Sequence, residues 1–178
     1  MDFSHRTYLV LEMPPSEWVD QVQKFRKKYE PWRRNLPVEV TIIGSSGIGI
    51  FAKGQDPEQA IRTIDQLAGG LDPIMLCFNR KSSFSGTNLY FFAPADPSPL
   101  LQLQKQIVAS KLKFETSPFP FTPHCTIADL GDTPTKETLT ELDTLVVPSW
   151  KIIIQSISFY QLRDQSCHLV HRSRFANY

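Results

Sequence analysis

Two stretches of similar sequence in this 178-residue chain each place a titratable side chain two residues before a Thr-Ile pair. One is Glu39-Val40-Thr41, within PVEVTIIG (37–44); the other is His124-Cys125-Thr126, within TPHCTIAD (122–129). Each follows a proline by one or two residues, and each runs polar, apolar, Thr, Ile. Side chains on a strand repeat every two residues, so Glu39 and Thr41 share one face, as do His124 and Thr126. Each pair therefore offers a proton-transfer group and a hydroxyl to the same space. Nothing in the local sequence makes the two strands neighbours; a weak internal repeat suggests it.

The elements around these triplets follow from periodicity. TYLVLE (7–12) reads as a strand. Ser16 caps a helix with an apolar stripe of Trp18, Val19, Val22, Phe25 and Tyr29, ended by Pro31. VEVTIIG is a β-branched strand. DPEQAIRTIDQLAGG is a helix capped by Asp56, with Pro57 in its first turn, Gln59 closing a capping box and Ile61, Ile64, Leu67 and Ala68 inward. PIMLCFN and NLYFFAPA are strands joined around Ser85-Gly86. A helix opening at Ser98-Pro99 buries Leu100, Leu103, Ile107 and Val108. HCTIADL is a strand. TPTKETLTELDTLV is a helix burying Leu139, Leu142, Leu145 and Val146. KIIIQSISFYQL and CHLVHRSRF close the chain as a hairpin around Asp164-Gln165-Ser166. Hairpins among the strands argue for α+β rather than a purely parallel sheet. No linker separates independent domains, and the proline-rich FETSPFPFTP (114–123) is expected at the surface, edging a cleft.

A net charge of +1 provides no general field for long nucleic acid, so a nucleic-acid partner would be short or held locally. No segment has the length of a membrane span, and the apolar run near the N-terminus is too short for a signal peptide. Cys77, Cys125 and Cys167 fit no zinc or redox spacing and suggest a reducing, cytoplasmic setting.

Gly44-Ser45-Ser46-Gly47-Ile48-Gly49 resembles the cofactor turn of a short-chain dehydrogenase. That reading needs a helix starting on the glycines, and helix signals begin only at Asp56. The usual Tyr-x-x-x-Lys pair is absent as well: the residues four beyond Tyr8, Tyr29, Tyr90 and Tyr160 are Glu12, Arg33, Pro94 and Asp164. The glycines read instead as a turn that permits positive φ.

The paired triplets, WRRNLPVEVTIIG, PFTPHCTIADL and the closing ISFYQL…CHLV strands together resemble the two-histidine phosphoesterases, the 2'-5' RNA ligase and 2',3'-cyclic phosphodiesterase group, over most of the chain. That resemblance implies a single two-lobed domain over 1–178: two similar lobes of mostly antiparallel sheet with outer helices around a central cleft. It implies His124 as a proton-transfer residue, with Thr41 and Thr126 donating to phosphate oxygens. It also implies no metal and no cofactor, and as partner a small nucleotide or RNA end bound by a monomer. The first motif departs from the family pattern, since Glu39 stands where a histidine is expected. The expected activity is hydrolysis of a 2',3'-cyclic phosphate or a 2'-5'-linked end, weak or altered by Glu39. The alternatives are a non-catalytic nucleotide- or RNA-binding module on the same fold, or an interaction protein with an empty cleft.

Taken without the resemblance, His124 is also an exposed strand-end histidine, Glu39 a surface residue of a half-buried strand, and the threonines ordinary strand residues. Arg33-Arg34 could offset Glu39 or meet a phosphate, and are otherwise solvated. Arg80-Lys81 with Phe84 reads as a turn or as a place to stack a base. His168 and His171, three apart on a strand, point to opposite faces and make a poor metal pair. Asp2 and His5 offer no third partner.

Overall fold

The computed structural model describes residue 3 and residues 5–30, 33–163 and 166–176. Pro31, expected to end the first helix, lies outside these residues, as do Asp2 and the Asp164-Gln165 turn. In chain order the elements are β1 (Arg6–Glu12), α1 (Glu17–Tyr29), β2 (Glu39–Ile43), α2 (Pro57–Ala68), β3 (Ile74–Leu76), β4 (Phe78–Ser83), β5 (Leu89–Pro94), α3 (Ser98–Val108), β6 (Cys125–Asp129), α4 (Lys136–Thr144), β7 (Ile152–Ile154), β8 (Ser156–Arg163) and β9 (Ser166–Arg174). The order β-α-β-α-β-β thus occurs twice, β1 to β4 and β5 to β8, before β9 closes the chain.

Helix caps follow local chemistry. Ser16 accepts from the Val19 amide, Asp56 from Glu58 and Thr135 from Thr138, each oxygen satisfying an orphan donor of a first turn. The capping box expected at Gln59 does not form. Gln59 Oε1 accepts instead from Gln55 Nε2 at 3.2 Å, while Gln55 Oε1 accepts from the Lys113 amide.

Seven strands form one antiparallel sheet in the order β4-β5-β6-β2-β1-β8-β9, and β3 pairs with β7 in a separate two-stranded sheet. The repeat is strand-exchanged: β4 of the first unit pairs with β5 of the second, and β8 of the second pairs with β1 of the first. The α+β expectation is met, with two corrections inside it. PIMLCFN is not one strand but breaks at Cys77, so that β3 and β4 enter different sheets. KIIIQSISFYQL breaks likewise at Gln155. The carbonyls at both breaks are satisfied by returning chain, Cys77 O by the Ala95 amide and Gln155 O by the Phe175 amide.

Helices α1, α2 and α3 cover the sheet, and the residues Leu9, Leu11, Val40, Ile42, Phe92, Cys125, Ile127 and Phe159 fill the main core. Val108 and Val146, expected inward, are exposed, Val108 as the last residue of α3 and Val146 just past the Leu145 cap of α4. Among the described residues, the two halves of the sheet meet through one strand pair, Val40 opposite Cys125. A ladder bond contributes about 0.5–1.5 kcal/mol net, whereas each buried apolar side chain contributes about 1.5–3 kcal/mol. The shared core, rather than the ladder, therefore holds the halves together.

Candidate functional site

The register Val40–Cys125 decides where the triplets stand. In an antiparallel pair the residues flanking it lie across from each other in reverse order. Thr41 is set beside His124, and Glu39 beside Thr126, all on the face opposite the fully buried Val40 and Cys125. The neighbouring strands extend this face. Glu12 and Val10 of β1 stand across from Glu39 and Thr41, Phe91 of β5 across from Thr126, and Ser158 of β8 across from Val10. Glu39 and Thr126 are only 6% and 7% exposed; Thr41 and His124 are half-buried.

Thr41 Oγ1 donates to Glu39 Oε2 at 2.9 Å. Burial pushes the Glu39 carboxyl above its ordinary value. Arg26, the Thr41 hydrogen bond and Arg33 oppose that shift, and the nearby Glu12 adds to it. His124 Nδ1 lies 2.6 Å from Thr122 O. A carbonyl only accepts, so Nδ1 carries the proton and Nε2 of the neutral ring presents its lone pair. Burial lowers the imidazole below its usual value, against the raising effect of the Thr122 bond; Arg33 lowers it further. Phe84 and Phe91 each stand 5.1 Å from the His124 ring, in edge-on and tilted geometry, and fix its plane.

A buried arginine braces the junction from α1. Arg26 is fully buried and donates to four backbone carbonyls: Leu36 and Pro37 before β2, and Thr126 and Ile127 in β6. Burial lowers its pKa, opposed chiefly by Cys125 and Glu39. One turn later Glu30 Oε2 accepts from the Asp129 amide at 2.6 Å and from Arg33 Nη1 at 3.0 Å. Arg33 is thus anchored by Glu30 while its charge reaches both Glu39 and His124.

Sequence reasoning missed a second polar cluster on β1, β8 and β9. Glu12 Oε1 accepts from Ser158 Oγ at 2.5 Å and Arg172 Nη2 at 2.6 Å, and Tyr160 also hydrogen-bonds to Glu12. Period-two alternation on β1 puts Glu12 on a face with Val10, but only the pairing Glu12–Glu39 brings it to the first triplet. Lys81 is not part of a base-stacking patch: its Nζ donates to the carbonyls of Leu142, Asp143 and Leu145 at the end of α4. Phe84 lies against the rings of Phe91 and His124. His171 turns to Asp65 of α2 at 2.7 Å, and the extra residue between Phe159 and Tyr160 partners interrupts the alternation assumed for His168 and His171.

The glycine-rich segment forms no helix. Gly47 and Gly49 hold φ of +71° and +95°, and the segment packs on the proline-rich 114–123 stretch through Gly47 N to Phe119 O and Glu115 N to Ile50 O. It leaves β2 at the end where 114–123 enters β6, beside Thr41 and His124.

All three cysteines are free thiols, and burial pushes Cys125 and Cys167 up to about 12. Among the described residues no three His, Cys, Asp or Glu side chains are grouped to hold a metal, and no helix is long and apolar enough to cross a membrane.

Known folds share this architecture. TT0787 of Thermus thermophilus aligns with a TM-score of 0.68 at 12% identity, covering 97% of this chain and all (100%) of that one. E. coli LigT complexed with 3'-AMP aligns at 0.58 with 18% identity, covering 96% and 98%. Kluyveromyces marxianus Usb1 aligns at 0.55 with 11% identity, over the same shares of 96% and 98%. At these identities the likeness is one of fold. No curated relative matches the chain. The family model of the 2'-5' RNA ligase superfamily matches residues 14–165, which takes in both triplets and all four helices, and the chain belongs to that superfamily.

Proposed function

We propose that this chain is a cytoplasmic phosphoesterase on a single two-lobed domain, opening a 2',3'-cyclic phosphate or a 2'-5'-linked nucleotide or RNA end. The observation that carries the reading is the Val40–Cys125 register, which brings two hydroxyls, an imidazole and a carboxyl to one face. The structures of E. coli LigT complexed with 3'-AMP and with phosphate support a nucleotide phosphate as the ligand class.

In this reading Thr41 and Thr126 donate to the two non-bridging phosphate oxygens and hold the phosphorus in line. His124 Nε2 takes the proton of a water whose oxygen attacks phosphorus. The bond from phosphorus to one ribose oxygen breaks, and that oxygen receives its proton from the side of Glu39, leaving a phosphomonoester. A neutral His124 and a protonated Glu39 are the forms this step needs, and burial moves both groups in that direction.

The test is hydrolysis of 2',3'-cyclic nucleotides by the native protein, His124→Ala and Glu39→His. Turnover by the native chain, reduced about 10²- to 10⁴-fold in His124→Ala, is the expected result. Undiminished turnover in His124→Ala would sink the assignment. A second reading, a non-catalytic nucleotide-binding module, is favoured by the commitment of the Thr41 proton to Glu39. It predicts binding without turnover over long incubation, weakened in Thr41→Val and Thr126→Val.

A further inference from the structure

Thr41 has a single hydroxyl proton, and in this structure it points at Glu39 Oε2. While that bond stands, Thr41 can only accept, and it has nothing to donate to an anion. Turning the hydroxyl away would strip a buried carboxylate of its hydroxyl donor, which is costly for a charged group. The alternative is to reverse the bond: a protonated Glu39 donates to Thr41 Oγ1, and the Thr41 O–H turns away from Glu39 over the face it shares with His124.

The surroundings favour that reversal at Glu39 rather than at its neighbour. Glu12 and Glu39 are direct cross-strand partners. The guanidinium of Arg172 and the hydroxyls of Ser158 and Tyr160 are all drawn to Glu12. Arg26, the buried cation of α1, gives its hydrogen bonds to the carbonyls of Leu36, Pro37, Thr126 and Ile127, so it reaches Glu39 only as a charge. The other titratable and charged groups around Glu39 are Arg33, held by Glu30, the thiol of Cys167, His124 beside Thr41, and Cys125, which lies on the opposite face and couples only through its charge.

Resting on the phosphate-site reading above, we infer that anion binding at the paired triplets is coupled to uptake of one proton from solvent by Glu39, which then donates to Thr41 and frees the Thr41 hydroxyl for the anion. In binding, Glu39 thus acts through Thr41, before any proton transfer to a leaving group, and the site closes to dianions as pH rises.

Sulfate is the probe, because it does not itself titrate in the working range. The measurement is an NMR titration of the Glu39 side-chain carboxyl carbon with and without saturating sulfate, with the Thr126 and Thr41 amides reporting occupancy. The expected result is a rise of the Glu39 titration by about one pH unit or more on binding, corresponding to an affinity that falls up to about tenfold per pH unit above the free-state titration. In Thr41→Val the rise is expected to vanish. In Glu39→Gln, whose amide donates to Thr41 at every pH, sulfate affinity at pH 8 is expected to exceed that of the native protein. A Glu39 titration that sulfate leaves in place overturns the coupling while the phosphate site stands. A rise equally large in Thr41→Val overturns the route through Thr41. Amides of Thr41 and Thr126 that sulfate never perturbs overturn both the coupling and the phosphate-site reading.

Discussion

Val40 stands across from Cys125, and this one pairing converts two separate sequence triplets into a single face. Both residues are fully buried beneath the sheet, so the side chains on either side of them in sequence must emerge above it. Slipping the register by one would bury Thr41 and His124 and expose apolar side chains instead. The apolar packing of Val40 and Cys125 is thus what orients the polar groups.

The pH profile of cyclic-phosphate hydrolysis follows from the two shifted groups. His124, lowered by burial, is neutral from below the usual histidine range upward, so the acid limb lies below that range. Glu39, raised by burial, supplies a proton until it ionises, which places the alkaline limb above the ordinary carboxylate range. Glu39→His is expected to move the alkaline limb toward the histidine range. Steady-state rates from pH 4 to 9 check both limbs.

Stability is expected to fall with pH on account of Glu39. Its folded value is raised, so between the ordinary value of 4.5 and the folded value the native state keeps a proton that the unfolded chain has released. The neutral carboxyl's contribution is complete below 4.5 and lost as pH rises through the folded value. Glu39→Gln lacks this slope. Urea midpoints of both proteins across that window should converge at the acid end and separate above it, with the variant more stable.

Removing Arg26 should cost far more than removing any surface charge. Arg26→Met removes a donor from four backbone carbonyls, of which Leu36 O keeps Gln23 Nε2, at about 1–3 kcal/mol for each one left unsatisfied. A loss of at least about 3 kcal/mol, read from the denaturant midpoint, is expected; Arg62→Met, on the solvent side of α2, should change stability by less than about 1 kcal/mol.

Gly44 offers a test of how tightly Thr41 is held. A Cβ at Gly44 would lie 2.4 Å from Thr41 Cγ2 and 3.2 Å from the Tyr8 ring. Gly44→Ala is therefore expected to turn the Thr41 side chain, lengthen the Thr41–Glu39 hydrogen bond and weaken phosphate binding by about tenfold, the equivalent of one hydrogen bond to a charged group. Binding isotherms for sulfate or 3'-AMP check this against Gly54→Ala, where a Cβ meets nothing within 4 Å.

Much of this protein can be read from residue order because its signals are local. Caps at Ser16 and Asp56, the apolar periodicity of the helices and the β-branched run around Val40 each depend on a few consecutive residues. The Glu-x-Thr and His-x-Thr spacings are local too, and strand alternation alone places both members of each pair on one face. The breaks at Cys77 and Gln155 were not legible, since an apolar run does not say which of two sheets its ends will join. Nor were the roles of Arg26, Glu12 and Lys81, each of which has a partner between 61 and 160 residues away. What the amino-acid order determined by itself was the kind of chemistry: a hydroxyl and a titratable group, twice, with a carboxyl at the first position. The tertiary structure alone decided that the two pairs share one face, that Glu39 is buried beside Glu12 and bonded by Thr41, and that His124 commits Nδ1 to the Thr122 carbonyl. Those facts depend on long-range strand register and on burial, and neither is encoded in the spacing of neighbouring residues.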